Sequence, residues 1–236
     1  MYNKQLATIH QQWYGGLAQA AAQQIKTLLP HPTGPITDLG CGGGNLLKHF
    51  APTVAQGYGT DVSAPMVALA RAEVPQYAFT VCDLWQSPLH PSQVVAMTGE
   101  IICYAAYGLE QPEHMIPAFF SRVAKALTTD GLFMFDFLVS GHDFNYSRYH
   151  DGPEVSVFTE SKAEGNTVTR QIVTYLKEAT SGLYSKATET HRQRTFEVQQ
   201  MHQWLAAAGL EVAVVDHYAN QPLLPGRRAC LCRKAS

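Results

Sequence analysis

The sequence predicts an α/β fold, a mostly parallel sheet with helices on both faces. Short apolar runs of strand length alternate with amphipathic stretches of helix length over much of the chain, which is the order of a parallel α/β sheet. One run leads through a glycine cluster into a helix, as at ligand sites of such sheets. The 236 residues suit one domain with an insertion. We divide it into a helical N-terminal cap at 1–33, a ligand-binding core at 34–139, a β insertion at 140–195 and a closing helix and hairpin at 196–236.

Composition excludes several classes of partner. Hydrophobic residues make up 46% and charged residues 15% of the chain, as in an ordinary globular protein. The net charge is −2 and the basic residues are scattered, so nucleic acid is a poor candidate for a partner. No stretch has the pattern of a signal peptide or a membrane span. We therefore expect a cytoplasmic monomer or homodimer that binds neither nucleic acid nor membrane.

The cysteines predict a reduced protein without a metal centre. Their number is five, and an odd number without an export signal favours free thiols. Cys230 and Cys232 share one face of a predicted strand and could suggest a metal pair. No second pair of cysteines or histidines stands nearby, so packing in the core is the favoured interpretation.

The N-terminal cap is predicted to be helical from about Leu6 to Leu29. Apolar residues recur there at steps of three and four, which gives one apolar stripe. Pro30 and Pro32 end the stretch, and Gly15-Gly16 is expected to divide it into two helices.

The stretch at 35–45 is the strongest functional signal in the chain. It reads Pro-Ile-Thr-Asp-Leu-Gly-Cys-Gly-Gly-Gly-Asn, which predicts a buried strand at 36–39, a tight turn and a helix at about 44–50. Glycines permit a positive φ and let a ligand approach the backbone, while the helix start presents unpaired N–H groups. A dinucleotide fingerprint requires a third glycine where Asn45 stands.

The form of this loop resembles motif I of the class I S-adenosylmethionine (SAM) methyltransferases. The resemblance rests on Asp-Leu-Gly-Cys-Gly-Gly-Gly and implies a Rossmann-like, seven-stranded, mostly parallel sheet. In that family the loop lies against the methionine part of the cofactor, so the resemblance implies cofactor contacts by Asp38, Gly40, Cys41 and Gly42. Family members often place an N-terminal aromatic residue over the methionine end, which makes Tyr14 a further candidate.

The second predicted strand, Gln56 to Val62, ends with the acidic residue that this family uses to bind the ribose hydroxyls. A carboxylate can accept both hydroxyls, so we assign this role to Asp61, with Val62 beside it. The alternative for Asp61 is an N-cap of the helix predicted over Pro65 to Glu73. Ser63 is better placed for that cap.

The third predicted strand, Tyr77 to Cys82, is followed by a second acidic residue. The resemblance implies that the Asp83 carboxylate meets the adenine amino group and that the Leu84 N–H meets a ring nitrogen. Met66, one turn into the preceding helix, is either a packing partner of the adenine or a core residue.

The fourth predicted strand, Val94 to Thr98, ends beside the switch point where such sheets bind ligands. The Gly-Glu-x-x-x-Tyr segment that follows is similar to one group of small-molecule methyltransferases. We expect Gly99 to contact the cofactor, and Glu100 and Tyr104 to contact the substrate. Glu100 is also a candidate base, and its alternative is solvent exposure. The family usually has Asn where Cys103 stands, and the Asn/Asp-Pro-Pro-Tyr signature of methyltransferases that act on bases and glutamine amides is absent.

The second half of the core supplies one more helix and the central strand. The apolar stripe predicts a helix over Glu113 to Leu127, Thr129-Asp130-Gly131 predicts a turn, and the apolar run to Phe137 predicts a fully buried strand. The closing elements are a helix over 196–208 and strands over 210–216 and 228–233, and by resemblance the last strand runs antiparallel to the others.

The β insertion is predicted to form a three-stranded antiparallel lid over the site. Alternating stretches at 155–160, 167–176 and 183–195 are separated by hairpin signals. Either face of the last strand could look inward, so Arg192 and Tyr146 are substrate candidates and His191 is a candidate base. His142 is a second candidate base, since imidazole titrates near neutral pH.

These observations predict a SAM-dependent methyltransferase. It would transfer a methyl group to a small-molecule nitrogen or oxygen acceptor by in-line displacement, releasing S-adenosylhomocysteine. No nucleophile on the protein is required, so the motif alone identifies no catalytic residue. The alternatives are a non-catalytic SAM-binding protein and, less favoured, a nicotinamide-dependent oxidoreductase, against which Asn45 and the absence of a Tyr-x-x-x-Lys set argue.

Overall fold

The computed structural model describes residues 15–178 and 181–235 and contains the predicted seven-stranded sheet. With strands numbered in chain order, the sheet order is β10-β13-β5-β4-β1-β2-β3, and β13 runs antiparallel to both of its neighbours. The α/β fold class is thus confirmed, including the antiparallel strand near one edge. Its strands are β1 (Ile36–Leu39), β2 (Gly57–Asp61), β3 (Ala78–Val81), β4 (Ser92–Met97), β5 (Leu127–Leu138), β10 (Leu210–Val215) and β13 (Arg227–Lys234).

Both faces of this sheet are covered, which explains why its central strands are continuously apolar. Val95 and Met97 pack into the core on one face, while Val94 and Ala96 pack into the core on the other. This is the alternation that a strand imposes on successive side chains. Along β5, successive side chains likewise pack into the cores on alternate faces of the sheet.

Helices flank the sheet at the positions that the sequence indicates. Ser63 accepts the Met66 N–H at 3.5 Å, so Ser63 is the N-cap of its helix, as predicted. The part of the N-terminal stretch before Gly15, including Tyr14, lies outside the described residues. None of the described helices is long and apolar enough to cross a membrane. The helices are α1 (Gly15–Leu28), α2 (Asn45–Lys48), α3 (Ala64–Glu73), α4 (Ile101–Ala105), α5 (Pro112–Ala126) and α6 (Val198–Ala207), with a 3₁₀ turn at Leu84–Gln86.

The predicted turn at Thr129-Asp130-Gly131 lies inside β5, as an irregularity of the strand. Ser92 pairs with Leu127 and Val94 pairs with Leu132, so two steps along β4 match five along β5. The extra residues bulge out of the ladder.

The insertion is a four-stranded antiparallel sheet, so the prediction of three strands is wrong. Its first strand reads Tyr-Ser-Arg-Tyr-His-Asp, and this polar segment lacks the apolar alternation by which the other three were recognised. The strands are β6 (Tyr146–Asp151), β7 (Val155–Glu164), β8 (Thr167–Lys177) and β9 (Tyr184–Arg194), and they pair in chain order. A short ribbon, β11 (His217–Tyr218) with β12 (Gln221–Pro222), precedes β13.

The core makes a testable prediction about α5. Phe120 is fully buried, whereas Met115 on the same helix is 37% exposed. We expect Phe120→Ala to lower the free energy of unfolding by about 3–5 kcal/mol, through lost burial and a cavity, and Met115→Ala to cost far less. Urea unfolding of both variants measures the difference, and equal losses would contradict this packing.

Candidate active site

A cavity lies at the carboxyl edge of the central sheet, beneath the inner face of the insertion. Its floor is formed by the glycine loop after β1 and by the loop after β4, and its roof by side chains of β6, β7, β8 and β9. Parallel strands end at a common edge, and this edge is where open α/β sheets bind ligands. The predicted core and the predicted lid therefore meet around one site.

The glycine loop is pinned to the second strand. The N–H groups of Gly40 and Cys41 donate to the Thr60 carbonyl at 2.7 and 2.9 Å. Gly40 has φ +74°, and a Cβ there would lie 2.6 Å from the Ile101 side chain, so this position requires glycine for both reasons. Gly42, with φ +51°, has more room, since the nearest atom to a Cβ would be the Met66 Cε at 3.5 Å.

Asp61 supports this loop and retains capacity to bind a ligand. Its Oδ2 accepts the Gly42 N–H at 2.9 Å, and its Oδ1 accepts the Ser63 N–H at 2.8 Å. A carboxylate has about four lone-pair sites, so capacity remains to accept a hydroxyl donor. Because Ser63 caps the helix, the alternative role of Asp61 as the N-cap is wrong.

Asp38 provides an ionisable group on the cavity floor. Its side chain lines the cavity but is almost fully buried, and burial together with the nearby Asp61 raises the pKa of Asp38 to about 8. The carboxyl group is therefore mainly protonated at neutral pH. A positively charged group placed beside it would favour the ionised form.

Four residues predicted to bind the cofactor lie outside this cavity. Val62 is half exposed, Met66 and Leu84 are buried in the protein interior, and Asp83 is exposed. The Asp83 Oδ1 accepts the Trp85 N–H at 2.9 Å and so caps the 3₁₀ turn. Cofactor contacts by these four residues stay predictions.

The loop after β4 is held by a buried aspartate that sequence reasoning missed. Asp136 accepts the Gly99 N–H at 3.0 Å and the Glu100 N–H at 2.6 Å. Glu100 adopts φ +64°, a left-handed conformation that is uncommon outside glycine. Gly99 has φ +95° and no heavy atom within 4 Å of the position of a Cβ, so its side of the loop is open. The missed signal is the acid of Asp136 within an otherwise apolar strand.

The Glu100 side chain joins the floor of the cavity to its roof. Its Oε2 accepts from Arg170 at 2.7 Å and from Gln193 at 2.6 Å, and its Oε1 lies 3.5 Å from Arg227. Burial alone would raise the pKa of Glu100, but the two arginines and these hydrogen bonds lower it to about 2. The expectation of solvent exposure is therefore wrong. Glu100 also remains ionised at neutral pH and is too weak a base to be the proton acceptor.

His191 is the candidate base that the structure places in the cavity. Its Nε2 lies 3.0 Å from the Glu189 Oε2, and its Nδ1 lies 3.5 Å from the Tyr104 hydroxyl. The Tyr104 ring packs edge-on against the imidazole. Burial lowers the pKa of His191, and the hydrogen bond to Glu189 opposes that shift only in part. The imidazole is therefore neutral at pH 7.

Register determines which of the other insertion candidates face the site. Tyr146 lies opposite Ser161, in the same cross-strand row as His191, and lines the cavity. Arg192 projects from the opposite face of β9 and is exposed. His142 is exposed outside the cavity and packs edge-on against Phe144. Arg192 and His142 are therefore removed from the substrate and base candidates.

The cysteines have structural positions. Cys103 is buried and its Sγ accepts the Leu138 N–H at 3.2 Å, so the residue that replaces the family's Asn packs beneath the site. Cys230 and Cys232 lie in the hydrophobic core, as predicted. Within residues 15–178 and 181–235 no group of three or more potential ligands could hold a metal ion.

Comparison with known proteins finds similarity to methyltransferases. The family described as "Methyltransferase domain" matches residues 36–131. A Geobacillus sp. (strain WCH70) protein named as a methyltransferase is 28% identical over 191 residues, 75% of this chain and 74% of that protein. A SAM-dependent methyltransferase from Clostridium acetobutylicum superposes with a TM-score of 0.82 at 18% identity, covering 98% of both chains.

Residues 36–131 thus match a methyltransferase domain, and the chain has the fold of a solved SAM-dependent methyltransferase. The chain also superposes on SAM-bound CalS10, an amino pentose methyltransferase from Micromonospora echinaspora, with a TM-score of 0.77 at 18% identity. That match covers 100% of this chain and 98% of CalS10.

The site fits SAM. Gly42 and Gly99 leave space beside the loops because these residues lack a side chain, and Asp61 retains capacity to accept a hydroxyl donor. In its ionised form, Asp38 can balance a positive charge of a ligand at the floor of the cavity. When bound, SAM supplies an electrophilic sulfonium methyl group, and the protein has to align the acceptor and exclude water.

Asp61 provides the test of cofactor binding. We expect Asp61→Ala to weaken S-adenosylhomocysteine binding about 10- to 100-fold, because charge-assisted hydrogen bonds to the ligand and to the Gly42 N–H are lost together. Calorimetric titration measures the affinity. Glu73→Ala removes an exposed carboxylate paired with Lys48 and serves as the control. Unchanged affinity in a folded Asp61→Ala protein would refute the assignment.

Glu100 makes a prediction about stability against pH. Because its folded pKa is about 2 and its ordinary value 4.5, its stabilising contribution is complete above 4.5 and is lost as the pH falls towards 2. Glu100→Gln should therefore lower the melting temperature at pH 7, and the difference from the unmodified protein should shrink between pH 4.5 and 2. A difference that does not change with pH would contradict the ion pairing.

Proposed function

We propose that this protein transfers the SAM methyl group to an amino nitrogen of a small polar acceptor, with His191 as the proton acceptor. The observation that carries the proposal is the buried His191–Glu189 pair, in which His191 lines the cavity beside Tyr104. A neutral imidazole whose second nitrogen is held by a carboxylate is the usual form of a general base.

The hydrogen bonds support Nδ1 of His191 as the reactive nitrogen. A carboxylate at Glu189 accepts a hydrogen bond, which favours the imidazole proton on Nε2 and the lone pair on Nδ1. Nδ1 points towards Tyr104, which also lines the cavity. Nδ1 would take a proton from the acceptor, directly or through the Tyr104 hydroxyl, and so leave the acceptor nitrogen with a lone pair for the methyl group that SAM would supply, with S-adenosylhomocysteine as the leaving group.

The strength of this base favours nitrogen over oxygen. Since burial lowers the pKa of His191, the imidazole is a weak base. An aliphatic ammonium group is a far stronger acid than an alcohol, so the same base can neutralise an amine but not prepare an unactivated hydroxyl. A free amine is nucleophilic once its lone pair is available. Because CalS10 is described as an amino pentose methyltransferase, amino sugars are the first class of acceptor to screen.

The roof of the cavity supports the small-molecule assignment. Arg170 of β8 and Gln193 of β9 bind the Glu100 carboxylate, so the insertion is held over the floor by buried polar contacts. A roof held in this way restricts the acceptor to a molecule that fits beneath it and keeps water from the reacting atoms. Alignment in such a site supplies much of the rate enhancement.

His191→Gln tests the proposed base. We expect kcat/KM with an amino sugar acceptor to fall about 10²- to 10⁴-fold, the usual contribution of a general base, with S-adenosylhomocysteine affinity unchanged. Because the pKa of His191 is below its ordinary 6.5, the unmodified enzyme should lose activity below that pH, and this acid limb should disappear in the variant. Release of S-adenosylhomocysteine measures the rates.

His142→Gln is the matched control, since this histidine is exposed outside the cavity. An acid limb that persists in His191→Gln and moves with the pKa of the acceptor would assign the titration to the substrate. Turnover of alcohols but not of the matching amines would refute the assignment to nitrogen.

A further inference from the structure

We infer that Arg148 binds an anionic group of the acceptor, a phosphate or a carboxylate, at the end of the molecule remote from the methylated atom. This inference rests on the proposed function, since it concerns the acceptor of the same site. It is carried by an arginine that the sequence did not single out, and it specifies the chemical class of the acceptor further.

The register of the insertion places Arg148 in the roof. Tyr146, Ser161, Arg170 and His191 form one cross-strand row of the inner face. The next row runs from Arg148 through Thr159 and Ile172 to Glu189. Arg148, Thr159 and Ile172 line the cavity. Arg148 therefore stands at the β6 edge of the roof, and the His191–Glu189 pair stands at the β9 edge.

Arg148 is oriented but its charge is not neutralised by the protein. Its guanidinium carbon lies 4.7 Å from the centre of the Tyr146 ring, a cation–π contact that holds the side chain along the roof. None of the ion pairs among the described residues includes Arg148. The first 14 residues, which the structure does not describe, contain neither Asp nor Glu.

Most of the other charged groups at the cavity have hydrogen-bond or ion-pair partners within the protein. Glu100 is paired with Arg170 and Arg227, Arg227 also contacts Asp136, and Glu189 contacts His191. Asp38 is held mainly protonated at neutral pH by its burial. The exposed guanidinium of Arg148 thus leaves the roof with a positive charge that a complementary ligand would meet. A guanidinium binds phosphate or carboxylate through two parallel hydrogen bonds.

The spacing of the strands separates the two ends of the acceptor. Three strand intervals lie between β6 and β9, which places their backbones roughly 14 Å apart. The anionic group at Arg148 and the amine at His191 are therefore at opposite ends of the acceptor. This arrangement favours an amine on a longer phosphorylated or carboxylated molecule over simple α-amino acids, whose two groups are adjacent.

Anion binding to the enzyme loaded with S-adenosylhomocysteine tests the inference. Calorimetric titrations at constant ionic strength use pyrophosphate as the phosphate probe and malonate as the carboxylate probe. We expect Arg148→Gln to weaken binding of the matching probe about tenfold, as for loss of one charge-assisted pair, and Arg148→Lys to weaken it less. Arg192→Gln, which removes an exposed arginine from the outer face of the same sheet, should leave the affinity unchanged.

The outcomes distinguish a phosphorylated acceptor from a carboxylated one. They also distinguish failure of this inference from failure of the proposed function. A loss in Arg148→Gln confined to pyrophosphate indicates a phosphorylated acceptor, and one confined to malonate indicates a carboxylated acceptor. Equal affinities in Arg148→Gln and Arg192→Gln, or no binding of either probe, would overturn the inference. S-adenosylhomocysteine binding and the His191→Gln kinetics are measured without these probes, so failure of the proposed function would be recognised separately.

Turnover provides a second readout. With paired amine acceptors that differ only in an anionic group, Arg148→Gln should raise KM for the anionic member about tenfold and leave kcat within about twofold, since Arg148 binds the acceptor away from the reacting atoms. The neutral member should be unaffected. An equal rise in KM for both members would show that the variant acts on the structure of the roof and would refute the inference.

Discussion

The buried carboxylate of Asp136 is the interaction on which the rest of the site depends. It lies in the central strand β5 and accepts hydrogen bonds from the backbone of Gly99 and Glu100, from the Tyr218 hydroxyl and from Arg227. These partners come from two separate parts of the chain. Removing one partner of such a buried charge network typically costs about 3–5 kcal/mol, because the other charge remains buried without compensation.

Glu100 extends this network from the floor of the site to its roof. The backbone of Glu100 is fixed by Asp136, and its side chain is fixed by Arg170 and Gln193 of the insertion. The loop that carries the open face of Gly99 and the sheet that carries His191 are therefore positioned by one residue. The resulting cavity is lined by backbone and carboxylates at its floor and by aromatic and basic side chains at its roof. This division suits methyl transfer, in which alignment matters more than covalent participation by the protein.

Short-range patterns predicted the core elements and the glycine loop closely. The glycine spacing and the acid at the end of the second strand singled out Gly42 and Asp61, which a hydrogen bond joins. Both signals are local, since backbone conformation and strand termini are set by neighbouring residues. Glu100 was predicted less well. It was expected to contact the substrate, with a role as a base or solvent exposure as further possibilities, and only its distant partners Arg170 and Arg227 show that it is neither a base nor exposed.

The sequence by itself determined the fold class and the cofactor loop, because glycine spacing, strand alternation and helix capping are properties of contiguous residues. The polar strand β6 had no such local signal, and the acid of Asp136, although visible in an apolar strand, does not reveal its partners. Tertiary structure alone decided which face of β9 looks inward, and so selected His191 over Arg192, because a one-residue change of register exchanges the two faces of a strand. It also brought Arg148 into the roof, since pairing between β6 and β7 aligns it with Thr159. Charges separated by many residues in the chain acquire their partners only when the strands assemble.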